Sequence, residues 1–208
     1  MMLVMKIYMD DQLQDLDAAT VGGAIDEVSD IAARNGRMVV ELTINGENMS
    51  GEMLEAILDR IGVDGDELRM VTADPCELAV DVLGQIRGTI SEIMGLQQEA
   101  ADLLQQDDTS AAFEKLGQLI SNWLNVQQAI SQSTSLVGLK LDDIEVEGSP
   151  VSDLTNELLE QLRTLKELIE GKDMITLADV LEYEWPEVSE KWDKLAANLS
   201  EKMKLKLA

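Results

Sequence analysis

The chain has 208 residues, of which 45% are hydrophobic, and its 41 acidic residues outnumber 16 basic ones to give a formal net charge of −25. This apolar fraction is enough for folded cores, while so much negative charge opposes unaided binding to nucleic acid or to anionic lipid headgroups. Because the chain has no histidine and a single cysteine, Cys76, it excludes an intrachain disulfide, histidine-based catalytic triads and histidine-containing zinc or di-iron motifs.

The first part of the chain predicts a small mixed sheet with two helices. Runs of apolar and β-branched residues alternate with amphipathic helical patterns. Thr20 and Ser50 are the expected helix caps, and Asn45-Gly46 is the expected turn. The expected elements are, in chain order, a strand over Leu3–Met9, a segment before Ala19 that pairs back with it, a helix from Thr20 to Asn35, a strand over Arg37–Ile44, a helix from Ser50 to Ile61 and a strand over Glu67–Thr72. This order is typical of an α+β domain, and a β-grasp arrangement satisfies it.

From Asp74 onward the pattern changes to long helical periods, each with a single apolar stripe. The expected helices run from Pro75 to Leu104, from Thr109 to Ile130, from Pro150 after a Ser149 cap to Gly171, and from Thr176 with an interruption or restart at Pro186. Short connections between such helices are typical of an antiparallel bundle of the up-and-down kind. The sequence therefore predicts two domains, a small α+β domain over residues 1–73 and a four-helix bundle over residues 74–208.

The last helix carries an aromatic-rich stripe. Trp185 and Trp192 lie on it with three aliphatic residues at steps of three and four, and Tyr183 precedes it. Tryptophans at helical spacing fill a core efficiently. They also anchor protein interfaces, where aromatic side chains beside acids suit a basic amphipathic segment. Both interpretations stay open, and the second makes Tyr183, Trp185 and Trp192 the predicted partner-binding residues.

The first long helix has an edge of small residues. Gly84, Gly88, Ser91 and Gly95 follow one another at steps of three and four, which places them on one side of the helix. Each glycine lowers helix propensity by roughly 1 kcal/mol, and a small edge lets another backbone approach closely. The sequence leaves two uses for this edge, which are close packing within the bundle and docking of a partner helix.

Paired carboxylates suggest a metal-dependent alternative. Glu157 and Glu160 lie one helical turn apart, as do Glu190 and Asp193, and this spacing resembles the pattern of the all-α nucleotide pyrophosphohydrolases, which hold magnesium between helices. The chain departs from that pattern because it lacks the adjoining double glutamate and a nearby basic cluster for phosphates. Acids are also so frequent in this chain that several pairs at this spacing are expected by chance.

These observations favour a non-enzymatic protein-binding module, an adaptor or chaperone-like factor with an apolar helical surface rimmed by carboxylates. Its expected partner is a protein that supplies a basic or apolar helical segment, and no cofactor, nucleic acid or membrane partner is expected. A magnesium-dependent nucleotide phosphohydrolase and a structural subunit of an assembly, with a homo-oligomer left open, are the alternatives. The single cysteine and the lack of a signal-like or membrane-spanning apolar run predict a cytoplasmic location.

Overall fold

The computed structural model describes residues 5–63, 65–141, 144–146 and 149–207. The chain divides into two compact units, residues 1–75 and residues 76–208. The first is a sheet unit that contains five strands and two helices, and the second is a helical unit. The α+β class predicted from the sequence is therefore confirmed.

The sheet unit contains a mixed sheet with the strand order β2-β1-β5-β3-β4. The strands are β1 (Lys6–Met9), β2 (Gln12–Gln14), β3 (Met38–Ile44), β4 (Glu47–Asn48) and β5 (Glu67–Ala73). Strands β1 and β5 are parallel at the centre, and all other neighbours are antiparallel. Leu3 and Val4 of the predicted first strand lie outside the described residues. Strand β5 lies between the β1–β2 hairpin and the β3–β4 hairpin, which is the strand order of a β-grasp sheet.

The hairpin between β3 and β4 follows from its local sequence. Asn45 and Gly46 both have positive φ, 51° and 85°, which is the conformation of the two-residue turn that Asn-Gly favours. The Asn45 side chain also donates to the carboxylate of Asp66 over 3.0 Å and accepts from the Glu67 N–H over 2.9 Å. The turn therefore ties this hairpin to the start of β5.

Asp66 is a buried carboxylate of the sheet unit. It accepts hydrogen bonds from the Asn45 side chain, the Val63 N–H and the Arg60 guanidinium. These donors lower the pKa of Asp66 to about 2, and the hydrogen bond from Asn45 is the largest cause. The carboxylate therefore stays charged at every physiological pH, and its charge helps to hold the turn and β5 together.

Helix α1 (Val21–Arg34) packs its apolar side on the sheet. Val21, Ala24 and Val28 are buried against sheet residues that include Ile7. Thr20 caps the helix as the sequence predicts, because its hydroxyl accepts a hydrogen bond from the Gly23 N–H over 3.1 Å. The sheet unit thus has its core on the side that α1 covers.

The segment after β4 differs from its prediction. Helix α2 (Gly51–Glu55) has five residues instead of running to Ile61, and Ser50 makes no capping bond through its side chain. The chain leaves the helix because the carbonyls of Leu58 and Arg60 accept hydrogen bonds, over 2.8 and 3.0 Å, from the first two N–H groups of α1. Those N–H groups have no intrahelical partner. Tertiary pairing therefore overrides the helical pattern of this segment.

Within the described residues, the helical unit contains four long helical segments and a short hairpin. They are α3 (Pro75–Gln105), α4 (Thr109–Leu136), a hairpin of β6 (Glu145–Val146) and β7 (Ser149–Pro150), α5 (Val151–Gly171), and a last segment made of α6 (Met174–Asp179), a π-helical turn (Val180–Glu184) and α7 (Trp185–Leu207). Their apolar faces share one core. The antiparallel bundle arrangement of all four stays a prediction. None of the described helices combines the length and apolar character that a membrane span needs.

Two helix starts differ from their predictions by a few residues. Asp173 rather than Thr176 caps α6, because the Asp173 carboxylate accepts a hydrogen bond from the Thr176 N–H over 3.1 Å. Helix α5 begins at Val151, one residue later than expected, because Ser149 and Pro150 form strand β7. The sequence pointed to Ser149 and Thr176 as the caps of these helices. In the structure Ser149 belongs to strand β7, and Thr176 is the residue whose N–H is capped.

The interruption predicted at Pro186 is a π-helical turn that directly precedes it. The Trp185 N–H donates to the carbonyl of Val180, five residues back, which is the spacing of a π-helix. A proline has no N–H, and its ring crowds the carbonyl four residues earlier in an α-helix. The wider π-helical turn gives the proline ring room and needs no N–H from it. Helix α7 therefore continues past Pro186 to Leu207.

Candidate functional site

The structure places Trp185 and Trp192 in the core of the helical unit. Both side chains are buried, and Trp123 of α4 contacts each of them edge to face, with ring centroids 6.2 and 5.6 Å apart. Edge-to-face pairs stabilise a core beyond the area they bury. A buried indole offers no surface to a partner, so the predicted partner-binding surface is corrected at these two positions. Core filling is the interpretation that fits their geometry.

Tyr183, the third predicted partner-binding residue, is accessible. It lies in the π-helical turn with 70% of its surface exposed. Ile175 of the preceding helix α6 is also exposed, to 80%. A hydrogen bond to Glu182 raises the pKa of the Tyr183 hydroxyl, and the charges of Glu182 and Asp179 add to this effect. Tyr183 is therefore an exposed aromatic side chain beside acids, as the sequence predicts for a partner contact, but it stands apart from the two tryptophans.

The four carboxylates of the metal-dependent alternative do not form a ligand set. Three of them pair with basic side chains: Glu157 with Lys191, Glu160 with Arg163 and Asp193 with Arg87, at N–O distances of 2.8, 2.7 and 2.7 Å. In the part of the chain that the structure describes, no three acidic or cysteine side chains are close enough to share a metal ion. These acids therefore serve as partners for bases, and Glu190 lines a groove described below.

The glycine edge of α3, formed by Gly84, Gly88, Ser91 and Gly95, faces open space. All four residues are exposed, and a Cβ atom added at any of the three glycines would meet no atom of the described residues within 4 Å. Of the two uses that the sequence left open, close packing within the bundle therefore has no support in the part of the chain that the structure describes. The fold leaves room for side chains at these positions, although the sequence supplies none.

Beside the glycine edge lies the α3–α7 groove, with a volume of about 430 Å³. Ser91 belongs to both the edge and the groove, so the two surfaces are continuous. Ile90 and the partly exposed Met94 give the groove its apolar lining from α3, while Glu190 and Lys194 line it from α7. The combined surface offers apolar contact area next to a strip where a helix can approach closely.

Two polar contacts hold α3 and α7 together along this groove. The buried Gln97 donates to the Ser189 hydroxyl over 2.8 Å, and the Arg87 guanidinium binds both oxygens of Asp193 over 2.7 and 3.0 Å. The hydrogen bond with Asp193 raises the pKa of Arg87, so the guanidinium stays charged. Arg87 precedes Gln97 along α3, but its partner Asp193 follows Ser189 along α7. The two contacts therefore indicate that α3 and α7 run in opposite directions.

Sequence reasoning did not identify these two contacts. A signal was present in each case, because Gln97 is a polar residue on the apolar stripe of α3 and Arg87 is the only basic residue of that helix. Their partners on α7 could not be identified from spacing, since more than 90 residues separate the members of each pair.

Acids border the glycine edge. Asp81 precedes Gly84 by three residues and Glu92 follows Gly88 by four, and both acids are exposed. Within the described residues neither of them forms an ion pair. Because Arg87 is bound by Asp193, the surface around the glycine edge is negative and has carboxylates free to meet a basic partner.

No curated protein and no solved structure matched the chain. Residues 81–195, more than half of the 208 residues, match the family described as Domain of unknown function (DUF8042). The matched range begins within α3 and ends within α7, so it contains the glycine edge, the α3–α7 groove and all three tryptophans. The chain therefore belongs to the DUF8042 family.

Proposed function

We propose that this protein is a non-enzymatic protein-binding module, an adaptor or chaperone-like factor, that receives a basic amphipathic helix of a partner protein on the outer side of α3. The observation that carries the proposal is the open glycine edge, where added Cβ atoms at Gly84, Gly88 and Gly95 meet nothing. We place this function in the cytoplasm, because the single cysteine gives no sign of an oxidising compartment.

The three glycines of the edge lower the stability of α3, and the fold of this protein does not explain why. Each glycine in the interior of a helix costs roughly 1 kcal/mol relative to alanine, so these three lower the stability of α3 by about 3 kcal/mol. Nothing in the described fold requires them, because alanine would fit at each position without contact. A second helix whose backbone packs directly against this edge would require them, since a Cβ atom would then hold the two backbones apart.

The α3–α7 groove adds apolar contact area to the same surface. A partner helix that lies on the glycine edge can place one larger apolar side chain against Ile90 and Met94. The Gln97 to Ser189 hydrogen bond and the Arg87 to Asp193 pair already fix the two walls of the groove. A preformed site loses less entropy on binding, which supports recognition of a short helical segment.

Charge selects the kind of partner. Asp81 and Glu92 border the edge and have no basic partner among the described residues. Lysine or arginine residues that flank the small face of the incoming helix therefore find carboxylates on this side. A second copy of this chain is a poorer occupant, because each copy has a net charge of −25 and would bring the same acids to the contact. We therefore commit to a basic partner.

A designed helical peptide with an alanine face flanked by lysines tests the surface directly. Fluorescence anisotropy at low salt should show saturable binding to the wild-type protein and at least tenfold weaker binding to Gly88→Leu, because leucine blocks the close approach. Gly117→Leu is the matched control, since Gly117 is also exposed in the interior of a long helix and a Cβ atom there meets nothing. Leucine should strengthen either helix, so a loss of binding cannot be assigned to unfolding.

The remaining outcomes of this experiment decide between the alternatives. Equal binding of the peptide to wild type, Gly88→Leu and Gly117→Leu would show that the attraction is general electrostatics and would overturn the proposed surface. The same peptide with glutamates in place of lysines should not bind. Sedimentation of the protein at micromolar concentration should show one copy, whereas a dimer lost in Gly88→Leu would instead support a structural subunit that uses this edge for self-association.

A protein captured from a lysate of the source extends this test to the natural partner. The proposal expects a captured protein that is retained by Gly117→Leu, lost with Gly88→Leu and released by moderate salt, and that contains a basic amphipathic helix. If Gly88→Leu captures the same protein as well as wild type does, the partner binds elsewhere on the protein. No observation in the described residues favours the phosphohydrolase alternative.

A further inference from the structure

The helical unit has a second concave site, on a side that the proposed function does not use. It is the α4–α5 pocket, with a volume of about 280 Å³, lined by Gln127, Ile130 and Ser131 of α4, Thr155 and Leu159 of α5, and Trp192 of α7, with Leu141 and Val151 beside them. None of these described lining side chains is charged. Three helices therefore meet at a recess whose described lining is uncharged, in a protein whose net charge is −25.

The pocket combines a fixed apolar floor with an open mouth. Ile130, Val151 and Trp192 are buried, whereas Leu159 is 49% exposed at the edge. A cavity of roughly 150 Å³ with apolar walls is enough to bind benzene, and pockets for drug-sized ligands begin at roughly 300 Å³. The volume therefore suits a molecule of about ten non-hydrogen atoms, such as a single ring with a short substituent.

Polar groups lie along one wall. Gln127 and Ser131 are four residues apart on α4 and both line the pocket, and their side chains have no hydrogen-bond partner among the described residues. The Thr155 hydroxyl donates to the Val151 carbonyl over 3.1 Å, which leaves its oxygen able to accept. An apolar recess with a few polar groups on one wall is the general form of a small-molecule site.

We propose that the α4–α5 pocket binds a small neutral molecule that has an apolar body and one uncharged polar group. The apolar body contacts Ile130, Leu159 and the ring of Trp192, and a carbonyl, amide or hydroxyl group bonds to Gln127 and Ser131. Among the described lining residues a carboxylate ligand would find no base, and it would be repelled by the negative surface, while an ammonium ligand would find no acid among the same residues. The ligand is therefore uncharged.

Trp192 makes the proposal measurable. The chain has three tryptophans, so an ¹H–¹⁵N spectrum contains three indole N–H signals, and Trp192→Phe assigns the signal of the pocket residue. Acetophenone is the neutral probe, and benzoate and benzylamine are its anionic and cationic counterparts of similar size. The Trp192 signal should move saturably with acetophenone, with a Kd on the order of 1 mM for so small a molecule. Benzoate and benzylamine should bind at least tenfold more weakly.

Ser131→Leu fills the pocket from an exposed position of α4 and should weaken acetophenone binding at least tenfold. Ser135→Leu is the matched control, because Ser135 is exposed one helical turn later and does not line the pocket. The proposal is overturned if the acetophenone shift is not saturable, if the two charged probes bind as well, or if Ser131→Leu leaves the affinity unchanged. None of these results depends on the glycine edge, so this site stands or fails separately from the proposed function.

Discussion

Glycines that lie within helices have opposite roles in the two units of this protein. At Gly22 of the sheet unit, an added Cβ atom would lie 2.9 Å from the backbone oxygen of Leu58, so the fold needs a residue without a side chain. At Gly84, Gly88 and Gly95 of the helical unit an added Cβ atom would touch nothing. A glycine that is required by packing within the protein gives no reason to infer a partner. An exposed glycine that packing does not require is consistent with close approach of a second protein at that surface.

The two units also differ in what holds them together. The sheet unit relies on specific polar contacts such as the hydrogen bonds to Asp66, and its apolar cluster has nine buried residues among those that the structure describes. The apolar cluster of the helical unit has 30 buried residues in the described part of the chain, and they include all three tryptophans. We therefore expect charge changes to affect the sheet unit most and side-chain truncation to affect the helical unit most.

Truncation of the tryptophan core should have the largest effect. Trp123→Ala removes the ring that contacts both Trp185 and Trp192, and the cavity should lower the free energy of unfolding of the helical unit by about 3–5 kcal/mol. Urea denaturation followed by the fluorescence of the other two tryptophans measures it, because all three lie in this unit. The neighbouring exposed residue supplies the control, and Leu124→Ala should change stability by less than about 1 kcal/mol. Similar losses for both variants would contradict a core role for Trp123.

Loss of the Asp66 charge should destabilise the sheet unit by roughly 2–3 kcal/mol at neutral pH. The folded pKa of about 2 lies below the ordinary value of 3.8, so this stabilisation is complete above about pH 4 and disappears as the pH falls towards 2. Amide hydrogen exchange in β5 should therefore separate wild type from Asp66→Asn at pH 7, and the difference should shrink with acid. Asp59→Asn, at an exposed position, should give no such pH dependence.

Glycine-to-alanine substitutions in both units test most directly which of these glycines the fold requires. Gly22→Ala should destabilise the sheet unit by roughly 1–2 kcal/mol, because the added methyl group collides with the Leu58 carbonyl and this strain exceeds the gain in helix propensity. Hydrogen exchange in α1 and β5 measures the change. A more stable sheet unit would show that the backbone near Leu58 moves aside easily and that the close approach is not required.

Gly88→Ala should have the opposite sign and the smallest size. Alanine fits without contact, so the helical unit should gain about 1 kcal/mol in its free energy of unfolding. The same substitution should weaken binding of the lysine-flanked peptide if the glycine edge is the docking surface. A stability loss in urea denaturation would mean that the edge has a packing role within the protein after all.

The predictable parts of this protein were those that short stretches of sequence decide. The Thr20 cap, the Asn45-Gly46 turn and the long apolar stripes of α3 to α5 depend on residues a few positions apart, and the structure has them. Where distant segments compete, local pattern was not enough. The region from Ile57 to Ile61 reads as helix, but its carbonyls bind the start of α1 instead.

The candidate site shows the same division. The residue types came from the sequence, which identified an edge of small residues, acids and aromatic side chains as candidates for a binding surface. It could not decide whether the edge or the tryptophans face solvent, because helical periodicity gives the same stripe for a core and for an interface. The structure placed Trp185 and Trp192 inside and left Tyr183 outside.

By itself, the sequence determined the α+β class, the excess of negative charge and the absence of histidine chemistry, because these depend on composition and on contacts between near neighbours. Tertiary structure decided which small residues are needed by packing, which acids on one helix have basic partners on another and where α3 and α7 form a groove. Such features depend on residues more than 30 positions apart, as for Gly22 with Leu58 and Arg87 with Asp193. Their distances are set only when the whole chain has packed.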